Sequence, residues 1–110
     1  MIVVGSATTL ATTANGKTAE QITGTYQNIG AGVLILVAKA SVTGVNVSLS
    51  CGGVPLVADQ PIPYFGATGS LSVKDNVIVS QLVNGGKVEL SFRNTTAGTP
   101  SVDYAVFYQP

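Results

Sequence analysis

Side-chain catalysis needs groups that hold or release protons near neutrality, and this 110-residue chain has few of them. It contains no histidine, one cysteine, five acidic and five basic residues. Nucleophile–base pairs most often rely on histidine as the base, so that route is closed. Glu20, Asp59, Asp75, Glu89 and Asp103 could in principle supply a carboxylate pair for glycoside hydrolysis. Their settings argue for simpler duties. Asp75 sits in a turn signal with Asn76, and Glu89 lies on the outward side of an alternating segment between Lys87 and Arg93, where charges usually solvate a face. Cys51 has no accompanying base and reads as a small buried hydrophobe. Asn84, Gly85 and Gly86 do not make a phosphate loop, because neither Lys-Ser/Thr nor a helix follows. The sequons Asn46-Val47-Ser48 and Asn94-Thr95-Thr96 read as chance matches. The chain is therefore expected not to be an enzyme, with no catalytic, metal-binding or cofactor-binding residue and no cofactor.

The aromatic residues offer binding chemistry instead. Tyr64 and Phe65 are adjacent in the segment 59–69, which Pro61 and Pro63 stiffen. Neighbours in an extended segment point opposite ways, so both rings cannot easily be core. Such a pair can anchor a protein interface or stack on a sugar, or one of the two rings can plug the end of the core. The final segment carries aromatics on both faces: Val102, Tyr104, Val106 and Tyr108 on one, Asp103, Ala105, Phe107 and Gln109 on the other. A two-layer fold needs only one apolar face. The surplus predicts that the outer face packs on another chain, and Pro61, Pro63, Tyr64, Phe65, Tyr104 and Tyr108 are the candidate interface residues.

Composition points the same way. Only 9% of residues are charged and 45% are hydrophobic, against roughly 25% charged in an ordinary soluble domain. Few charges remain to keep a lone molecule soluble. The net charge of zero leaves no basic patch for a nucleic-acid backbone. A single cysteine excludes an intrachain disulfide framework. The apolar stretch 30–38 is about half of what a bilayer span needs, so no membrane crossing is expected. Met1, Ile2, Val3, Val4 and Gly5 show no basic n-region, so the chain is expected to be made in the cytoplasm or to be a mature form.

These residues must be positioned by strands. Val, Ile and Thr dominate, helix formers are scarce, and strand-like runs alternate with Gly, Asn and Pro punctuation. Residues 1–20 read as an N-terminal arm or edge segment, and 21–110 as the β-sandwich domain. Strands are expected over 22–29, 33–40, 45–50, 54–57, 71–74, 77–83, 87–93 and 102–109, with Cys51-Gly52-Gly53 a turn. The 33–40 strand is apolar on both faces, the mark of a strand covered on both sides. Asn84-Gly85-Gly86 is the strongest hairpin signal. Val33, Ile35, Val37, Val88, Leu90 and Phe92 are the expected core. The fold class is all-β: a single antiparallel β-sandwich, jelly-roll-like, of about eight strands. An immunoglobulin-like sandwich fits nearly as well, without its Cys-Trp-Cys hallmark.

A charge-poor, Val/Thr/Gly-rich β domain ending in an aromatic strand (Val102, Asp103, Tyr104, Ala105, Val106, Phe107, Tyr108) resembles small β-sandwich proteins of bacteriophage particles. These are cement or decoration proteins and small jelly-roll capsid subunits. The resemblance lies in the overall pattern and carries over no functional residue. It implies a non-enzymatic virion protein, made in the host cytoplasm, that stabilises the particle. Its partners would be itself, as a homotrimer, and capsid protein, with no nucleic acid and no membrane. The alternative is a carbohydrate-binding module or lectin using Tyr64, Phe65, Tyr104 and Tyr108 with the amides of Asn28, Asn46 and Asn94. A pilus or surface-layer subunit is a third expectation, and it needs an export route.

Overall fold

The computed structural model describes residues 1–66 and 71–110. Its strands are β1 (Ile2–Ala11), β2 (Asn28–Ile29), β3 (Gly32–Ala40), β4 (Val45–Cys51), β5 (Val54–Pro61), β6 (Val77–Val83), β7 (Gly86–Asn94) and β8 (Ser101–Gln109). They form two four-stranded sheets, ordered β1-β8-β3-β6 and β2-β7-β4-β5. Every pairing between them is antiparallel. The partners nest: β4 with β5, β3 with β6, β2 with β7, β1 with β8. The chain is one long ribbon, doubled back at the β4–β5 turn and rolled into two sheets, which is the jelly-roll arrangement.

The tip of the ribbon is a two-residue turn, closed by the pair Cys51 and Val54. Gly52 (φ 60°) and Gly53 (φ 82°) both lie in the left-handed region. A type I′ hairpin turn needs that conformation at both positions, and glycine adopts it without steric cost. β4 then alternates as its sequence demands. Val45, Val47, Leu49 and Cys51 are buried, while Asn46, Ser48 and Ser50 are half-exposed. In β7, Val88, Leu90 and Phe92 are fully buried between outward Lys87, Glu89 and Arg93.

The core lies between the sheets. From β3 and β8 it takes Leu34, Leu36, Ala38, Ala40, Val102, Tyr104, Val106 and Tyr108, packed on the inward residues of β4 and β7. The Phe92 and Tyr104 rings meet with centroids 5.4 Å apart, tilted by 42°, a favourable tilted aromatic contact. On β3, the expected inward residues Val33 and Ile35 are only half-buried and face outward, as does the fully buried Val37. Leu34, Leu36 and Ala38 point into the core instead. Period-two reasoning cannot choose a side when both faces are apolar. The register does: Leu34, Leu36 and Ala38 lie opposite Tyr108, Val106 and Tyr104 of β8, and directly opposed residues share a face.

Residues 2–11 form edge strand β1 along β8, one of the two forms expected within 1–20, and several expectations elsewhere are revised. Residues 12–22 close the outer edge of β7: Thr18 and Gln21 amides donate to the Phe92 and Leu90 carbonyls at 2.8 and 2.9 Å. In return the Phe92 amide donates to Thr18 Oγ1 at 3.0 Å and the Leu90 amide to Glu20 Oε1 at 2.5 Å. The 22–29 segment is strand only at β2, because Gly24 (φ 90°) bends it into a 3-10 turn, Thr25–Gln27. Residues 72–76 form a turn rather than a strand, the Ser72 hydroxyl accepting from the Asp75 amide and the Asn76 side chain accepting from the Ser72 amide. Gly85 and Gly86 do have positive φ, but β6 and β7 belong to different sheets, so Asn84-Gly85-Gly86 is a crossover and not a hairpin. The segment 59–69 is strand up to Pro61, and its residues 67–69 lie outside the described residues.

Candidate interaction surface

The six residues expected at an interface divide into two groups. Pro61 ends β5 opposite Asn46, and Pro63 is exposed beyond it. The strap that follows lies on the rim of β3. The Ala40 amide donates to the Tyr64 carbonyl at 3.1 Å and the Gly66 amide to the Ala40 carbonyl at 3.0 Å. These bonds hold Phe65 outward at 61% exposure, with Tyr64 half-buried beside it. One ring is thus displayed and its neighbour partly sheltered.

Tyr104 and Tyr108 are elsewhere. Their side chains are 3% and 8% exposed and belong to the core of this chain. The Tyr104 hydroxyl meets Gln21 Oε1 at 3.4 Å, and the Tyr108 hydroxyl donates to the Ala31 carbonyl at 3.0 Å. Burial pushes the Tyr104 phenol pKa up, with the Glu20 charge adding to it. The inward parity of β8 is what removes both tyrosines from the surface. Its outward aromatic is Phe107.

Phe107 lies in a row the sequence reading did not assemble. β1 sets Val3 opposite Phe107, and β3 sets Ile35 opposite it on the other side. In the next row Val33 stands between Gln109 and Leu82. In the row beyond Ile35, Val37 stands between Ala105 and Val77. Val3 is 52% exposed and Leu82 77%. The outer face of the β1-β8-β3-β6 sheet therefore carries apolar residues on all four strands, with Ser6, Ser80 and Gln109 set among them and Val37 itself fully buried. Its charged pair, Lys39 opposite Asp103, lies toward one end, where the Thr9 amide donates to Asp103 Oδ1 at 2.7 Å. The double-sided apolar pattern of β3 and the surplus aromatic of β8 were the signals for this face.

The other sheet presents a polar surface. Ser48, Ser50, Glu89 and Ser91 line an open groove of about 620 Å³ with Lys17, Glu20 and Asp59 at its sides. Its carboxylates are engaged. Arg93 grips Asp59 through two bonds of 3.0 and 2.8 Å and holds its carboxyl below the usual range. Glu20 Oε1 accepts from the Ile22 and Leu90 amides. No aromatic ring lines the groove, so it offers no stacking platform for a sugar.

Two further groups are closed to chemistry. Cys51 is buried, and desolvation raises its thiol pKa, which suppresses the reactive thiolate. Asn94 is 1% exposed. Its amide donates to the Thr13 and Gly98 carbonyls at 3.1 and 2.8 Å and accepts from Thr96, so the folded chain does not present that sequon. Among the described residues, no group of three or more Cys, Asp or Glu is placed to hold a metal ion. No family model matches this chain, and neither a curated protein nor a solved structure matches it significantly.

Proposed function

We propose that this chain is a non-enzymatic structural subunit of a bacteriophage virion, a capsid cement or decoration protein or a small capsid subunit. It would act with copies of itself, three to a unit, and with capsid protein. The observation that carries the reading is the outer face of the β1-β8-β3-β6 sheet, apolar from Val3 through Phe107 and Ile35 to Leu82. Contiguous exposed apolar surface on a soluble chain marks an interaction site. The scarcity of charge supports the same reading, since a surface meant to be covered needs few solubilising groups. Jelly rolls serve both viral capsids and lectins, so the fold admits the proposal and the surface argues for it. Light scattering at micromolar concentration tests it. Assembly beyond the monomer is expected, and a clean monomer with no tendency to associate overturns it.

A carbohydrate-binding reading keeps one supporting observation, the Phe65 ring at 61% exposure beside Tyr64. A glycan array decides that reading. Binding that disappears in Phe65→Ala or Tyr64→Ala favours it, and an array without a binder retires it.

A further inference from the structure

We infer that β6 is a self-pairing edge, through which two copies of this chain join their outer sheets around a two-fold axis at Ser80. The inference deepens the self-association in the proposed function and rests on it. It starts from how the sandwich treats its edges. Unpaired strand edges invite other strands, and proteins guard them with charges, prolines, bulges or cover. β1 is broken by two register shifts and by Thr9 at φ 49°. β5 carries Pro55 and Pro61, two register shifts and Asp59 at φ 48°. The edge of β7 is covered by residues 12–22 and by β2. β6 has none of these devices along its length. Val77–Val83 reads VIVSQLV, without charge or proline. Its single register shift falls at its first residues, opposite Leu36 and Val37. Among the described residues, no strand pairs with its outer side.

The same seven residues are close to self-complementary. Antiparallel pairing about Ser80 sets Val77 against Val83, Ile78 against Leu82, Val79 against Gln81, and Ser80 against its own copy. Two-fold interfaces require this property, because each contact occurs twice. Ile78 against Leu82 gives an exposed side chain, Leu82 at 77%, an apolar cross-strand partner. No like charges meet. Behind the strand, Val54 (59% exposed), Leu56 and Leu82 border a groove of about 370 Å³ between the β5 and β6 edges. The joining side therefore includes both layers of the sandwich.

Its size fits a reversible contact. Seven residues span about 24 Å, and two sheets about 10 Å apart make a side about 20 Å deep, so each copy contributes roughly 500 Å². A standard stable interface uses about 800 Å² per partner. The pairing is thus weak alone and gains strength by repetition in an assembly. It leaves the apolar outer face free for capsid protein, and it is separate from the contact that closes a trimer.

The test uses the full chain and three variants. Ser80 is exposed on β6, and Ala97 is exposed in the loop between β7 and β8, away from both the β6 edge and the apolar face. Ser80→Lys sets two ammonium groups face to face at the axis, which disfavours the pairing. Ala97→Lys adds the same charge elsewhere. Sedimentation velocity at high micromolar concentration should show a mass-doubling pairing step in the wild type and in Ala97→Lys, and its loss in Ser80→Lys with an unchanged melting curve. Ser80→Cys in a Cys51→Ala background should form a covalent dimer on mild oxidation, because the axis places the two Cβ atoms within disulfide reach. Loss of the pairing step in Ala97→Lys, or its survival in Ser80→Lys, overturns the edge pairing and leaves the assembly reading intact. An associating protein whose Ser80→Cys variant does not cross-link overturns the register. A wild type that stays monomeric overturns both.

Discussion

Replacing one phenylalanine in the core, Phe92 of β7, and one on the outer face of the β1-β8-β3-β6 sheet, Phe107 of β8, tests which way the strands of that sheet face. Phe92 is fully buried and stacks obliquely on Tyr104 across the core. Phe92→Ala removes that ring from a close-packed interior and should cost about 3–5 kcal/mol. At about 4 °C or more per kcal/mol for a domain near this size, Tm should fall by at least about 12 °C. Phe107 has the same side chain but lies on the outer face between Val3 and Ile35. Its truncation removes two cross-strand contacts, together about 1 kcal/mol. Urea unfolding followed by circular dichroism gives both numbers, with m unchanged if the transition stays two-state. Equal losses in the two variants would show that Phe107 is core. The assignment of Leu34, Leu36 and Ala38 as the inward side of β3 would then be wrong as well.

Further outcomes follow from the turns, the buried amide, the ion pair and the thiol. Gly86→Ala should destabilise by more than about 1 kcal/mol, because its Cβ would come within 2.6 Å of the Gly52 Cα at a φ of 122°. Gly53→Asn should be nearly neutral, since nothing lies within 4 Å and asparagine tolerates positive φ; chemical denaturation compares the two. Asn94→Ala should lose about 1–3 kcal/mol by stranding the Thr13 and Gly98 carbonyls, read from the same denaturation curves. Arg93 holds the folded Asp59 pKa below its unfolded value, so the stability from this pair is present above about pH 4 and lost as pH falls through the folded pKa. The melting difference between wild type and Arg93→Ala should therefore shrink from pH 7 toward pH 2. Cys51, buried and with its thiol pKa raised, should react with a thiol reagent at pH 8 only as fast as the chain unfolds, and labelling at the free-thiol rate would refute its burial.

The strand inventory was largely legible because valine, threonine and glycine placement reports strands and turns directly. β4 and β7 could be read residue by residue, since each has one apolar and one polar face. β3 could not, because Val33, Ile35 and Val37 are as apolar as Leu34, Leu36 and Ala38. Its orientation is a tertiary fact, fixed by the register with β8. The same choice of parity decided the candidate site. The surplus aromatic of the last strand predicted an outer apolar face, but parity makes Phe107 its member and sends Tyr104 and Tyr108 inward. β1 could be read only as an arm or an edge segment. Its Thr8, Thr9, Thr12 and Thr13 surroundings suit either, and its strand state comes from pairing with β8, distant in sequence. Likewise Gly85 and Gly86 announce positive φ without saying whether the next strand returns to the same sheet.

The nesting of strand partners also dictates when the fold can be completed. β8 leaves the ribosome after the other seven strands of the sandwich, yet it lies between β1 and β3 in the finished sheet. Until it emerges, those two strands have no neighbour to join them, and β1 must wait for Ile2 to meet Tyr108. Pairings between chain ends close slowly because the loop entropy comes first. The β4–β5 turn is the local nucleus that can form early, and the ribbon can zip outward from it. A nascent chain therefore carries apolar strand edges without their partners until β8 emerges, which makes completion of this sandwich sensitive to the concentration of its own copies.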